Sequence, residues 1–437
     1  MPASPLDSAI YGRLFGDAEV GQLFTDSAEV RAWMLVEGAL AKAQGGFGLI
    51  PETAARAIHR AAMELALDPS ALADETRVNA VPIPGFVAAF RAAMAAPEHA
   101  QWLHWGATSQ DILDTALALR LRQALTILDA RLDRVARALA DLAETHAETP
   151  ILARTYGQAA VVTSFGAVVA SWGQPLLRHR ARLAAVRADV EVVSLAGAAG
   201  TLAAMGPNGP KVRAALAMAL GLADPGASRH AERDGIAALG AWLTGVAGSL
   251  GKMGEDLLLL TRSETGEVRL GAGGGSSTMP QKTNPVLPSI LATIARRAPH
   301  LSAALAAALP HREQRDAAAW IAEWLALPEL VLLTARALAA AEELARSVEP
   351  DAQAMTQSIT ATNGTAFAEA LSFALAETMP RHEAQAAIKS LVKQGKNLES
   401  LVREAYPHAR LDHVFDPRAQ LGTAPDEARA FARKARE

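Results

Sequence analysis

The sequence predicts an all-α protein with three helical domains and a central bundle of long helices. Two observations support this fold class: alanine and leucine dominate the chain, and strand-like alternation of β-branched residues is scarce. A third is a heptad repeat that continues through a long segment without glycine or proline. At 437 residues the chain is too long for one simple core, so several domains are expected.

The clearest element is the segment 111–149. Its apolar positions step alternately by four and three residues: Leu121, Leu125, Leu128, Leu132, Val135, Leu139 and Leu142. This seven-residue repeat predicts one continuous helix with an apolar seam. At this length the helix would span on the order of 55 Å, and Pro150 is expected to end it.

Further long helices are predicted over 28–44, 157–192, 228–264, 286–308, 317–347 and 364–379. Long antiparallel helices with a heptad seam are typical of a bundle. The predicted domains are an N-terminal helical domain, a central bundle and a C-terminal helical domain, with limits 1–104, 105–350 and 351–437.

The composition excludes several function classes. The chain has 42 basic and 46 acidic residues and a net charge of −4, so no basic footprint for nucleic acid or a membrane surface is expected. An anionic small-molecule substrate remains compatible with it. The absence of cysteine excludes disulfides and thiolate chemistry and fits a cytoplasmic location. No H-E-x-x-H or comparable spacing occurs, so neither a metal nor a cofactor is predicted.

Three uncharged stretches resemble membrane spans, namely 155–177, 192–210 and 235–251. Each is interrupted by glycine, proline or polar residues. Helices that are apolar on all sides are also required at the centre of a large bundle, so we expect buried core and no membrane association.

The most informative stretch is the glycine-rich loop 271–285. Its glycines allow positive φ and present N–H groups to an anion. Ser276 and Ser277 follow directly, and Lys282 and Asn284 come six and eight residues after Ser276. A solvated hinge is the simpler interpretation of a glycine-rich loop. The G-x-G-x-x-G and P-loop nucleotide motifs do not fit it.

Residues 275–285, Gly-Ser-Ser-Thr-Met-Pro-Gln-Lys-Thr-Asn-Pro, resemble the signature loop of the fumarase/aspartase superfamily, GSSxMPxKxNP. The resemblance implies a fumarase/aspartase-like helical fold and a homotetramer with active sites shared between subunits. It also implies that Ser276 is the proton-abstracting base and that Lys282 and Asn284 hold a substrate carboxylate. Ser277 and Met279 of the same motif are further candidates for substrate binding.

Two other segments resemble superfamily regions. The first, His104-Trp-Gly-Ala-Thr108-Ser109-Gln-Asp111, directly precedes the long helix. Thr108 and Ser109 are equally compatible with helix capping and with a carboxylate cradle at the helix N-terminus. His104 is a candidate substrate ligand, although a packed histidine beside Trp102 and Trp105 is about as common.

The second segment is Arg154-Thr-Tyr-Gly-Gln158, which would place Arg154 and Gln158 on one face of a helical turn. Both are candidates for substrate binding. Arg315 is another candidate carboxylate clamp, since guanidinium binds carboxylate bidentately. A surface ion pair is the commoner explanation for Arg315 alone. Residues 415–422 resemble the C-terminal motif of adenylosuccinate lyases and carboxymuconate cycloisomerases.

Tyr156 separates branches of the superfamily. Many members have histidine there, paired with a glutamate five residues after the loop asparagine, where this chain has Ser289. Elimination of an amine or hydroxide generally needs such an acid, whereas a carboxylate, with a parent acid of pKa about 4, leaves without one. Filling the vacated volume is a simpler role for Tyr156 than proton donation. Aspartase-like members also lack the histidine, so its absence alone does not identify the branch.

The carboxymuconate cycloisomerase branch is similar in having an aromatic residue other than histidine at the position of Tyr156. It also resembles this chain in residues 171–179 and 319–328. This resemblance implies a small polycarboxylate substrate and lactone formation by intramolecular carboxylate addition. An adenylosuccinate-lyase-like C–N lyase that releases fumarate is the alternative. A non-catalytic descendant is a third hypothesis, against which the intact Ser276, Lys282 and Asn284 argue.

Overall fold

A computed structural model describes residues 4–271, 274–275 and 278–437. Helices make up most of these residues, so the all-α prediction is confirmed. The first seven α-helices are α1 (Gly12–Phe15), α2 (Ala18–Gly21), α3 (Asp26–Gly46), α4 (Glu52–Glu64), α5 (Ala73–Asn79), α6 (Ile83–Met94) and α7 (Pro97–Ala100). Short 3-10 turns occupy Gln22–Phe24 and Pro69–Leu72.

The middle of the chain contains the long helices. They are α8 (Ser109–Thr145), α9 (Phe165–Val190), the shorter α10 (Gly209–Leu220), α11 (Asp234–Leu260), α12 (Val286–Ala307) and α13 (Ala317–Ser347). A 3-10 turn at Ala203–Asn208 precedes α10. The predicted bounds of α13 agree with the structure, and those of α12 differ by one residue.

The heptad prediction for α8 is confirmed in its burial. Six of the seven seam residues are almost completely buried, and Leu142 near the end is half-buried. The helix ends at Thr145, earlier than predicted, and a turn of 3.1–3.2 Å backbone hydrogen bonds carries the chain to Pro150. Pro150 therefore begins the next strand and does not directly end the helix.

Five short C-terminal helices follow, as predicted for a helical segment. They are α14 (Ala352–Thr360), α15 (Ala368–Leu375), α16 (Arg381–Val392), α17 (Leu398–Ala405) and α18 (Ala424–Arg436), with 3-10 turns at Thr365–Phe367 and Pro417–Gln420. The prediction of one helix over 364–379 was wrong in its length. Gly364 has φ +85° and leads into a 3-10 turn, so the α-helix begins only at Ala368.

Among the described residues, six short strands form three antiparallel pairs. They are β1 (Pro150–Thr155), β2 (Gln158–Ser164), β3 (Val268–Leu270), β4 (Gly274–Gly275), β5 (Thr283–Asn284) and β6 (Val348–Pro350). β1 pairs with β2, β3 with β6, and β4 with β5.

The β1–β2 hairpin corrects two predictions. Arg154 and Gln158 do not share a helical turn, and the helix predicted over 157–192 begins only at Phe165. The reason is local: Tyr156 and Gly157 both have positive φ, +53° and +74°, which is the geometry of a two-residue hairpin turn. The β-branched run Val161-Val162-Thr163 then favours a strand over a helix.

The described residues form two compact units. Unit 1 comprises Met1–Ala130, His179–Ala247 and Arg296–Arg336, and unit 2 comprises Arg131–Arg178, Gly248–Ala295 and Ala337–Glu437. Each of the five long helices contributes residues to both. The division at residues 104 and 350 stays a prediction.

Each unit has its own apolar core. In unit 1, Trp33 of α3 contacts Phe86 of α6 edge-on with ring centroids 5.5 Å apart. In unit 2, Leu152 and Val162 of the hairpin pack into the core of the C-terminal helices. The base of the β1–β2 hairpin is thus anchored, while its tip is exposed.

Within the part of the chain that the structure describes, α13 alone has the length and hydropathy of a membrane span. In its most apolar window 61% of the residues are buried inside the protein, which is the property of a core helix.

Candidate active site

The N-terminus of α8 is built from the Thr108–Asp111 segment. Thr108 directly precedes the helix, and its backbone N–H donates to the Asp111 carboxylate at 3.0 Å while its carbonyl accepts from the Asp111 N–H at 3.0 Å. This is one half of a capping box. Thr108 and Ser109 are only half-buried, so their hydroxyls stay accessible beside the positive end of a long helix dipole. Capping and anion binding are therefore compatible here.

Asp111 is the anchor of this region. Its side chain is 1% exposed and accepts hydrogen bonds from the backbone N–H groups of Ala196 (2.8 Å) and Gly197 (3.0 Å) as well as from Thr108. It also accepts from His230 Nε2 at 2.8 Å. One carboxylate thus connects the start of α8 with two chain segments that follow α9.

Arg315 lies against the same helix start. Its Nε donates to Gln110 Oε1 at 2.8 Å, and its Nη2 lies 3.3 Å from the Ala198 carbonyl oxygen and 3.5 Å from His230 Nδ1. The structure therefore places this predicted clamp at the first turn of α8, which Thr108 and Ser109 begin. These partners are an amide, a carbonyl and an imidazole, so the simpler interpretation of Arg315 as one half of a surface ion pair does not describe them.

His104 is both packed and partly accessible. Its Nδ1 lies 2.6 Å from Glu37 Oε1, and 18% of its side chain is exposed. Burial opposes the charge of the imidazole, but the Glu37 carboxylate outweighs burial and raises the pKa of His104. Trp102 and Trp105 pack on each other with centroids 4.9 Å apart. The hydrogen bond to Glu37 agrees with the interpretation of His104 as a packed residue, and its role as a substrate ligand stays a prediction.

A second, largely buried ionic cluster includes Asp114, one turn further along α8. Arg233 bonds Glu323 (2.8 Å) and Asp114 (2.7 Å), and Trp320 Nε1 donates to Asp114 at 3.1 Å. Burial opposes the charge of Arg233, yet Asp114 and Glu323 together raise its pKa. Burial, with a contribution from Asp114, raises the pKa of Glu323. Arg233 is therefore neutralised by two carboxylates and acts as structural support.

His311 lies at the edge of this cluster. Its side chain is completely buried, and Nε2 lies 3.8 Å from Glu323 Oε1. Burial, with the positive charge of Arg233, lowers the pKa of His311, so the imidazole is neutral near pH 7.

Sequence reasoning assigned no role to Gln110, Asp114, His230 or Arg233. A signal was present for the first two, because polar side chains at 110, 111 and 114 on the start of an apolar helix need buried partners. Nothing in the sequence identified those partners, which lie 119 residues away for the Asp114–Arg233 bond and 205 for the Gln110–Arg315 bond.

In unit 2 the hairpin carries the second predicted segment. Arg154 donates to both carboxylate oxygens of the fully buried Glu267 at 2.9 Å, and its own side chain is 35% exposed. Gln158 pairs with Thr155 at the hairpin end and is exposed. Tyr156 at the tip is completely exposed, so its ring fills no volume within a single chain.

The glycine-rich loop is described in part. Gly274 and Gly275 pair with Asn284 and Thr283, which brings the two ends of the loop together. A Cβ at Gly274 would lie 2.7 Å from Val286 Cγ2, so any larger residue would have to displace the Val286 side chain.

Of the candidate ligands in the loop, Lys282 and Met279 are exposed and Asn284 is half-buried. Lys282 N donates to the Met279 carbonyl at 3.0 Å, which forms a turn. Ser276 and Ser277 lie outside the described residues. Across the residues that are described, no group of three or more histidine, aspartate or glutamate side chains is placed to hold a metal ion.

The protein is an all-helical, lyase-type enzyme. Its class is defined by the long helices, by Thr108 and Ser109 at the start of the longest one, and by a glycine-rich loop that carries Lys282. The chain belongs to the lyase family of the fumarase/aspartase superfamily, whose family model, described as "Lyase", matches residues 17–299.

Individual relatives match almost the full length. The 3-carboxy-cis,cis-muconate cycloisomerase of Pseudomonas aeruginosa is 40% identical, covering 98% of this chain and 95% of that protein. A nitrosuccinate lyase of Streptomyces davaonensis is 36% identical over 97% of this chain and 94% of its own length. The crystal structure of 3-carboxy-cis,cis-muconate lactonizing enzyme from Pseudomonas putida superposes with a TM-score of 0.92 at 33% identity, covering 98% and 99% of the two chains.

Proposed function

We propose that this protein is a cycloisomerase that interconverts 3-carboxy-cis,cis-muconate and a carboxymuconolactone. The reaction adds a substrate carboxylate across a double bond of the same molecule, or reverses that addition. The observation that carries the proposal is the replacement of the acid pair by Tyr156 and Ser289 in a chain similar along its length to enzymes of that name.

The surroundings of the two replaced positions support this chemistry. Tyr156 is completely exposed at a hairpin tip, and Ser289 Oγ donates to the Pro285 carbonyl at 2.8 Å in the first turn of α12. Neither is part of an imidazole–carboxylate pair. A departing carboxylate, with a parent acid of pKa about 4, needs no protonation, so such a site is sufficient for lactone opening.

Binding of a polycarboxylate is assigned to cationic, hydroxyl and amide side chains of the three predicted segments and of Arg315. Thr108 and Ser109 offer hydroxyls at a helix N-terminus, and Arg315 offers a guanidinium beside them. Lys282 and Asn284 of the loop, with Ser277 and Met279, are assigned to the same substrate. His104, Arg154 and Gln158 complete the set of proposed ligands.

Ser276 is assigned the proton transfer at the carbon next to a carboxylate. The charge that develops there is enolate-like, and donors placed in advance around it lower the barrier. In this assignment the glycine N–H groups and Lys282 stabilise that charge. Ser276 needs activation, since a serine hydroxyl is a weak base unless its surroundings favour the alkoxide.

We further propose that the enzyme is a homotetramer in which neighbouring protomers supply the three segments of each site. The exposed Arg154–Gln158 hairpin tip and the exposed loop residues support this, because ligands on an exposed tip need a second surface to enclose a substrate. A cytoplasmic location and a role in protocatechuate breakdown belong to the same proposal.

A second candidate is elimination that releases fumarate, as proposed for an adenylosuccinate-lyase-like enzyme. The full-length similarity to a protein named nitrosuccinate lyase favours it. It differs chemically, because the bond that breaks joins carbon to nitrogen and the leaving group is not a carboxylate.

The test is a substrate panel with the purified protein. Carboxymuconate, adenylosuccinate, argininosuccinate, nitrosuccinate, aspartate and malate are supplied separately, and muconate absorbance and fumarate release are both followed. We expect loss of muconate absorbance without fumarate. Fumarate from any succinyl compound, with carboxymuconate untouched, would favour elimination, and turnover of none would favour a non-catalytic descendant.

A further inference from the structure

Two arginines in unit 1 are held in opposite ways. Arg233 is buried and bonded to two carboxylates, so its charge is cancelled. Arg315 is half-buried, and its bonds go to Gln110, the Ala198 carbonyl and His230, all of which lack a negative charge. Neutral acceptors fix the direction of a guanidinium without neutralising it. Arg315 therefore keeps its full positive charge for an anion.

The orientation of Gln110 is determined by its own surroundings. Its side-chain amide is buried, and Nε2 donates to the His230 carbonyl at 2.9 Å and to Asp114 Oδ2 at 3.1 Å. Both neighbours are acceptors, so the nitrogen must face them and the oxygen must face Arg315. The 2.8 Å bond from Arg315 Nε to that oxygen is the shortest of its three contacts.

The tautomer of His230 follows in the same way. Asp111 accepts from Nε2 at 2.8 Å, and both side chains are 1% exposed. Nε2 therefore carries the proton, and the lone pair of Nδ1 faces Arg315 Nη2 at 3.5 Å. A contact of 3.5 Å is a weak hydrogen bond, so its main effect is on the orientation of the guanidinium. Asp111 also caps the start of α8. The same carboxylate therefore holds the helix start that carries Thr108 and Ser109 and, through His230, orients Arg315.

We propose that Gln110 and His230 are positioning residues that fix the Arg315 guanidinium and preserve its charge for a substrate carboxylate. Arg315 Nη1 makes no hydrogen bond to a described residue and is the group offered to the anion. The inference rests on the proposed function in assigning a polycarboxylate to this site. Beyond that function, it assigns roles to Gln110 and His230 and gives an electrostatic reason why both are neutral side chains.

The experiment compares two substitutions that disturb Arg315 in different ways. His230→Gln keeps a donor for Asp111 and removes the imidazole acceptor that faces Arg315. Gln110→Glu keeps the shape and an acceptor for Arg315, but it puts a negative charge on the guanidinium and removes the amide donor that faces His230 and Asp114. We expect each to raise KM roughly 10-fold with a smaller change in kcat, because binding of a carboxylate in the ground state weakens. His59→Gln is the matched control and should leave kcat/KM unchanged, because His59 is a half-buried histidine whose Nδ1 lies 3.2 Å from the Gly38 carbonyl oxygen.

A double-mutant cycle separates positioning from mere structural support. In an Arg315→Met background, both substitutions should have little further effect on kcat/KM, since the residue they act through is gone. The same cycle is repeated without turnover by measuring, in a calorimeter, the affinity of each variant for tricarballylate, a non-reacting tricarboxylate. Unfolding midpoints and oligomeric state are recorded for every variant.

Three results would overturn the inference. The first is a loss of affinity that persists undiminished in the Arg315→Met background. The second is unchanged KM and tricarballylate affinity in both single variants, and the third is failure of the wild-type protein to bind tricarballylate. Failure of the proposed function has a different signature, namely tricarballylate binding that follows the cycle in a protein that does not turn over carboxymuconate.

Discussion

The guanidinium of Arg154 donates two 2.9 Å hydrogen bonds to Glu267, a carboxylate with no exposed surface. This bond joins the β1–β2 hairpin to the residue that immediately precedes β3. A buried carboxylate is costly unless it is paired, so the arginine has a structural task in addition to any ligand it binds.

Replacing Arg154 with Met should therefore destabilise the protein. Removing one partner of a buried pair costs about 3–5 kcal/mol, and the partial exposure of Arg154 reduces our expectation to about 2 kcal/mol. Chemical denaturation measures the change. Arg56→Met, which breaks a pair exposed on both sides, is the control and should cost less than about 1 kcal/mol. Equal losses for the two variants would show that the Arg154–Glu267 pair is no stronger than a surface pair.

Ser276→Ala should reduce kcat on the substrate that the panel identifies. Loss of a positioned proton carrier typically costs roughly 10²- to 10⁴-fold in rate. Ser289→Ala is the matched control, because Ser289 is exposed and its hydroxyl donates to the Pro285 carbonyl just before α12. Steady-state rates of the two variants decide the matter, and a Ser276 variant within a few-fold of wild type contradicts the assigned role.

Tyr156→Phe tests whether the phenol donates a proton. A phenol of pKa about 10 is a poor acid near neutral pH, and a carboxylate leaving group needs none. We expect kcat to stay within a few-fold of wild type. A large loss of kcat that persists at every pH would instead identify Tyr156 as a participant in proton transfer.

The His104–Glu37 pair predicts a pH dependence of stability. Because the pKa of His104 is raised in the folded protein, its protonated form is favoured by folding. This contribution is fully present below the ordinary value of 6.5 and is lost as the pH rises through the higher folded value. Denaturation at a series of pH values should show the loss in wild type, and His104→Gln should remove that component. An unchanged profile in the variant would mean that His104 does not contribute.

Mixing impaired variants tests whether sites are shared between subunits. As separate proteins, Arg315→Ala should bind substrate much more weakly and Ser276→Ala should have a much lower kcat, so both have low activity at limiting substrate. If one site draws Arg315 and Ser276 from different protomers, co-refolded mixtures contain some intact sites and regain activity. Light scattering establishes the oligomeric state in parallel. A stable monomer, or mixtures as inactive as their components, would rule out the shared-site proposal.

Local patterns were sufficient for much of the fold. The bounds of α13 and the seam of α8 follow from helical periodicity, since each residue is buried or exposed according to its position on a single helix. The hairpin was missed although its turn and its β-branched run are local signals. An apolar run without charge is ambiguous between a helix and a strand, and helix was the wrong choice for 158–164.

By itself, the sequence determined the fold class, the family resemblance and the residue types available for proton transfer and carboxylate binding. These depend on the order of residues within short segments. Only the tertiary structure decided that Arg315 reaches Gln110, that His230 reaches Asp111 and that Arg154 is engaged by Glu267. Such contacts join residues more than a hundred positions apart, and burial makes each of them obligatory only once the surrounding helices have excluded water.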